Sequence, residues 1–89
     1  GQRIMKAAAE RMTRLVLELG GKDPMLVLPG ADVKAAAQHA VRESLRNSGQ
    51  ICISTERVFV PRAMVDAFVD EVSAAARALP MGDPTDPAT

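Results

Sequence analysis

Aromatic residues are nearly missing. There are two phenylalanines, Phe59 and Phe68, and no tryptophan or tyrosine in 89 residues. Apolar residues make up an ordinary 47%, but Ala, Val, Leu and Met carry almost all of it. A core of such small side chains is thin for a self-sufficient domain. A chain this short buries only about 60–65% of its unfolded surface, so further chain is expected to cover these elements. Cys52 is the single cysteine. It cannot form an internal disulfide, which fits a reducing, cytoplasmic setting. With one cysteine and one histidine, no metal-ligand spacing exists. The formal net charge is zero, with acids and bases interspersed, so no basic patch for nucleic acid is expected. No apolar run approaches the roughly 18 residues of a membrane span. The stretch Gly1-Gln2-Arg3-Ile4-Met5 has neither the apolar core of a signal peptide nor an initiator methionine, as expected of a cut or processed end.

What is present reads as alternating helices and strands. Ile4, Met5, Ala8, Ala9 and Met12 recur at helical spacing, which predicts an amphipathic helix over residues 2–12. Thr13 to Glu18 ends in an apolar run stopped by Gly20-Gly21 and reads as a buried strand, the glycines forming a turn. Met25-Leu26-Val27-Leu28 reads as a second buried strand, stopped by Pro29-Gly30. Asp32 is the expected N-cap of a helix from Val33 to Arg46. Its inward face is Val33, Ala36, Ala37, Ala40, Val41, Ser44 and Leu45, and it stops near Asn47 and Gly49. Thr55 to Val60 is a third strand, and Arg62 to Leu79 a last helix with Phe68 and Val72 facing inward. Pro80 to Thr89 is expected to be a loop. The order helix, strand, strand, helix, strand, helix predicts an α/β fold with a partial parallel sheet. Three strands leave both sheet edges raw.

Two stretches stand out chemically. Cys52 follows Asn47-Ser48-Gly49-Gln50-Ile51 at a junction between elements, where a scaffold presents side chains to a ligand. A thiol becomes a nucleophile only as thiolate, which needs a cation, a helix N-terminus or a base nearby. Taken alone, a lone cysteine is more often a small buried hydrophobe. Glu18 ends an apolar run before two glycines, a desolvated setting that suits a general base. It reads equally as a solvated strand end or a partner of Lys22. Lys22 itself is expected to pair with Glu18 or Asp23. His39, on the polar side of its helix, is expected at the surface. Gly20-Gly21 lacks the spacing of a phosphate-binding loop.

At these stretches the sequence resembles the aldehyde dehydrogenase superfamily. Leu17-Glu18-Leu19-Gly20-Gly21-Lys22 is similar to its glutamate signature, and Asn47-Ser48-Gly49-Gln50-Ile51-Cys52 to its cysteine signature. Glu56-Arg57-Val58-Phe59-Val60 and the tail Gly82-Asp83-Pro84-Thr85-Asp86-Pro87 match as well. The resemblance implies that Cys52 attacks an aldehyde carbon, that hydride leaves to NAD or NADP, and that Glu18 activates the water that hydrolyses the thioester. It implies a backbone N–H of Cys52 at the oxyanion, and Leu19 and Gly20 against the cofactor. Retention of Glu18 favours hydrolysing enzymes over those that acylate coenzyme A. The implied partners are a small-molecule aldehyde and, in the full-length family, other copies of the same chain.

By the family layout, residues 1–20 end a cofactor-binding domain and residues 21–89 begin a catalytic domain, both incomplete. The rest of the cofactor site lies outside the sequence, so the 89 residues alone are expected to be inactive. Two rivals stand beside this reading. One is a non-catalytic remnant that pairs with another chain through its raw edges. The other is a thiol-redox protein using Cys52, against which counts the lack of a second cysteine.

Overall fold

The computed structural model of the chain describes residues 1–87 and Thr89. Among these residues five regular elements appear in the order α1 (Gln2–Ala9), β1 (Asp23–Leu26), α2 (Val33–Leu45), β2 (Thr55–Phe59) and α3 (Val65–Arg77), with a left-handed turn at Arg46–Gly49 and a short 3₁₀ turn at Arg62–Met64. β1 and β2 form a two-stranded parallel sheet. A parallel pair needs a long crossover, and α2 supplies it, so the centre of the chain is a β-α-β unit. This is the expected α/β class with a small parallel sheet.

The core lies between one face of the sheet and the two long helices. Val27, Ala37, Ala40 and Phe68 are buried there, with Met25, Val58, Val60 and Val72 packed around them. Asp32 caps α2 as the sequence suggests, its Oδ1 accepting from the Ala35 N–H at 3.0 Å. Burial alternates along β1. Met25 and Val27 point into the core while Leu26 and Leu28 stay two-thirds exposed. The β1 segment is therefore half-buried rather than buried on both faces. Pro80 onward is a series of turns, with Ala88 outside the described residues.

Two expectations at the N-terminal end need correction. The first helix stops at Ala9, short of Met12. Thr13 N–H donates to Ala8 O at 3.0 Å and Met12 N–H to Ala9 O at 3.2 Å, and Met12 takes φ 49. That is a Schellman closure with a methionine where glycine is usual, so helical spacing runs past the point where the backbone turns. The expected strand over Thr13 to Glu18 forms no ladder at all. Val16 is 92% exposed. An apolar run becomes a strand only where another strand accepts its backbone bonds, and none lies beside it among the described residues.

The radius of gyration is 18.2 Å and the extents are 55 × 36 × 14 Å. A compact domain of about 100 residues has a radius near 13 Å. The thin core anticipated from composition is thus spread over an elongated chain, and α1 buries none of its residues.

Candidate active site

The parallel sheet explains how two distant stretches meet. The Glu18 stretch runs directly into β1 and the Cys52 stretch directly into β2. In a parallel pair both strands start at the same end, and here Asp23 stands opposite Thr55. The two lead-in loops are therefore side by side. They enclose an open cleft of about 320 Å³, lined by residues 18–21 of one and 49–52 of the other, and by Glu56.

The contact is closest at Gly21. A Cβ placed on Gly21 would stand 2.3 Å from the Cys52 carbonyl oxygen and 3.0 Å from Asp23 Oδ1. Glycine is needed here for close approach of two backbones, not for the turn the sequence suggests. Cys52 is a free, exposed thiol, so the structure does not make it a buried hydrophobe. Glu18 is also exposed; the desolvation expected from its apolar flank is not supplied by this chain. Leu19 is 66% exposed beside it.

The cysteine loop is built on an unusual turn. Asn47, Ser48 and Gly49 have φ of 51, 57 and 74, three left-handed residues in succession. Left-handed backbone costs a non-glycine residue roughly 1–2 kcal/mol, and such strain gathers at functional sites. The Asn47 side chain donates to Gln50 O at 3.2 Å, closing the turn. Below it, Ser54 is buried. Its hydroxyl donates to Ser44 O at 3.1 Å and lies 3.3 Å from Glu43 O. The Ser44 hydroxyl donates to Thr55 O at 2.7 Å. These serines pin the start of β2 to the last turn of α2 and so fix both ends of the loop that carries Cys52.

Lys22 corrects another expectation. Its ammonium pairs with Glu56, not with Glu18 or Asp23. The sequence separation of these two residues hides a contact that strand pairing creates. The Arg57 guanidinium also donates to the Lys22 carbonyl. His39 is exposed as expected, its Nδ1 3.1 Å from Arg42. The Arg42 guanidinium beside Glu43 holds that carboxyl below the ordinary glutamate range. No cluster of metal-binding side chains occurs among the described residues, and no helix of theirs is long and apolar enough to cross a membrane.

All 89 residues match the model of the aldehyde dehydrogenase family. The chain belongs to that family. It is 45% identical over its whole length to an NADP(+) succinate-semialdehyde dehydrogenase of Mycolicibacterium paratuberculosis, covering 19% of that protein. Over 87 residues, 98% of the chain, it is 44% identical to a 2-hydroxymuconic semialdehyde dehydrogenase of Pseudomonas putida, covering 18% of it. The fold matches the crystal structure of a Mycobacterium tuberculosis aldehyde dehydrogenase complexed with NAD+, with a TM-score of 0.83 and 38% identity over 99% of this chain and 18% of that one. The chain thus spans about a fifth of the length of the curated relatives it matches.

Proposed function

We propose that this chain carries the nucleophile, Cys52, and the general base, Glu18, of an NAD(P)-dependent aldehyde dehydrogenase that oxidises a small aldehyde to a carboxylic acid. In this reading residues 1–20 close the cofactor-binding domain and residues 21–89 open the catalytic domain. The observation that carries it is the seating of the Glu18 loop on the Cys52 loop, backbone against backbone at Gly21. Family membership and the relatives named for semialdehydes and for NADP(+) support the substrate class and the cofactor.

The residues beside Cys52 suit a dinucleotide. Leu19 offers an uncovered apolar side chain, and among the described residues nothing lies within 4 Å of where a Cβ on Gly20 would stand, so a flat ring can approach the backbone there. When bound, the nicotinamide supplies the hydride acceptor. The chain's own residues do the rest. Cys52 Sγ attacks the carbonyl carbon and holds the substrate as a thiohemiacetal. No intrachain backbone bond uses the Cys52 N–H among the described residues, which leaves it for the oxyanion. Oxidation leaves a thioester on Cys52. Glu18 takes a proton from water, the resulting hydroxide displaces the sulfur, and the carboxylic acid departs as the thiol is restored.

Most of a relative's length lies beyond these 89 residues, so the chain alone is expected to turn over no aldehyde and to bind NAD weakly. A chimaera answers the functional question: residues 1–89 replace the matching fifth of the Mycolicibacterium relative. Cys52→Ala should abolish reduced cofactor formation. Glu18→Gln should leave a single-turnover burst and stop the steady state, because only thioester hydrolysis needs the base. Full steady-state turnover by the Glu18→Gln chimaera would remove Glu18 from the mechanism.

A further inference from the structure

Arg57 lies on β2, outside both loops, yet it grips one of them. Its Nε donates to the Lys22 carbonyl at 3.1 Å and its Nη2 to the same oxygen at 2.8 Å. The neighbouring Glu56 takes the Lys22 ammonium. Consecutive strand residues normally point to opposite faces. Here the register slips, with Asp23 opposite Thr55 and Pro24 opposite Arg57, so Glu56 is an extra residue on β2. A bulge of this kind re-aims side chains, and both Glu56 and Arg57 reach the same residue of the other loop. The Arg57 side chain thereby adds a bond across the pair beyond the backbone ladder.

We propose that Arg57 is a positioning residue that clamps the Glu18 loop onto the Cys52 loop through the Lys22 carbonyl, and so sets the Glu18–Cys52 relation. The inference rests on the reading of these two residues as base and nucleophile. A guanidinium is suited to the task because it delivers two donors in a fixed fork, whereas an ammonium is a point charge on a flexible stem. The lever is short: Lys22 follows Gly21, whose backbone rests on the Cys52 carbonyl. Arg57 is exposed, so its replacement leaves the core of Val27, Ala37, Ala40 and Phe68 intact.

The lone cysteine makes the test direct. A nitroxide attached to Cys52 in the 89-residue chain broadens nearby amide NMR signals. In the parent, Gly20 and Gly21 should be strongly broadened. Arg57→Met should reduce that broadening severalfold, Arg57→Lys by less, and broadening at Ser44 and Leu45 should not change. Undiminished broadening at Gly20 and Gly21 in Arg57→Met would overturn the clamp. Loss at Ser44 and Leu45 as well would reduce Arg57 to a general structural role and overturn it too. In unlabelled chains, Glu18→Gln should alter Cys52 alkylation in the parent and not in the Arg57→Met background. Broadening that responds to Arg57, with parental alkylation indifferent to Glu18, supports the clamp and refutes the functional pairing.

Discussion

Replacing Gly21 by alanine probes the contact on which the site depends. The new Cβ would stand 2.3 Å from the Cys52 carbonyl oxygen, and ordinary contact begins near 3.4 Å. One loop must therefore retreat by about 1 Å, since repulsion at the shorter distance overwhelms any dispersion gain. The obstacle is backbone, which cannot rotate aside as a side-chain tip would. Overpacking of this kind costs about 1–3 kcal/mol. Its larger effect is on catalysis, because a misplacement of about 1 Å between reacting groups lowers the rate on the order of 100-fold. Steady-state kinetics of the chimaera, with and without Gly21→Ala, read the loss as a fall in kcat larger than any change in KM. A Gly21→Ala enzyme with parental kcat would refute the reasoning, for it would mean that the two loops need not touch.

Other perturbations test the scaffold. Phe68→Ala empties the centre of the small core and should cost on the order of 3–5 kcal/mol, read as a collapsed urea transition. Gly49→Ala places a side chain at φ 74 with its Cβ 3.0 Å from Ser44 O; it should destabilise by roughly 1–2 kcal/mol and slow Cys52 alkylation by disordering the turn. Asp32→Ala removes the cap on α2 and should cost about 1 kcal/mol in the same urea assay. Acid should weaken the fold. Glu43 is held below its ordinary range by the hydrogen bond from Arg42, and Asp83 by the side-chain and backbone donors of Thr85. Each contribution is complete above the unfolded-state value and fades as pH falls through the lowered folded one, so urea midpoints should drop below about pH 4. Arg42→Met should diminish that pH dependence.

Much of this structure is legible in the residues. Asp32 before an Ala-rich apolar face announces α2, and Val33, Ala37, Ala40 and Val41 lie where helical spacing places them. The β-α-β order predicts a parallel sheet, and the sheet delivers Glu18 and Cys52 to one cleft. Where the reading falters, the cause is a partner remote in sequence. Leu15, Val16 and Leu17 have the pattern of a strand, but a strand exists only with a neighbour to bond. Lys22 has two acids close by in sequence and pairs with a third, Glu56, that strand register brings to it. Gly21 looks like half of a turn, and nothing local reveals that Cys52 O lies against it. Arg57 reads only as part of a strand, because the bulge that redirects it depends on the other strand. The cleft also lies at the amino ends of its strands, whereas open parallel sheets commonly bind ligands at the carboxyl ends, so fold class alone points away from it.

The central claim is that Glu18 and Cys52 act on each other across the cleft. Alkylation of Cys52 by iodoacetamide, compared in the parent and in Glu18→Gln, tests it most directly. Both side chains line the same cleft, so the account predicts that Glu18→Gln changes the alkylation rate of Cys52. Equal rates in the two chains would contradict the account.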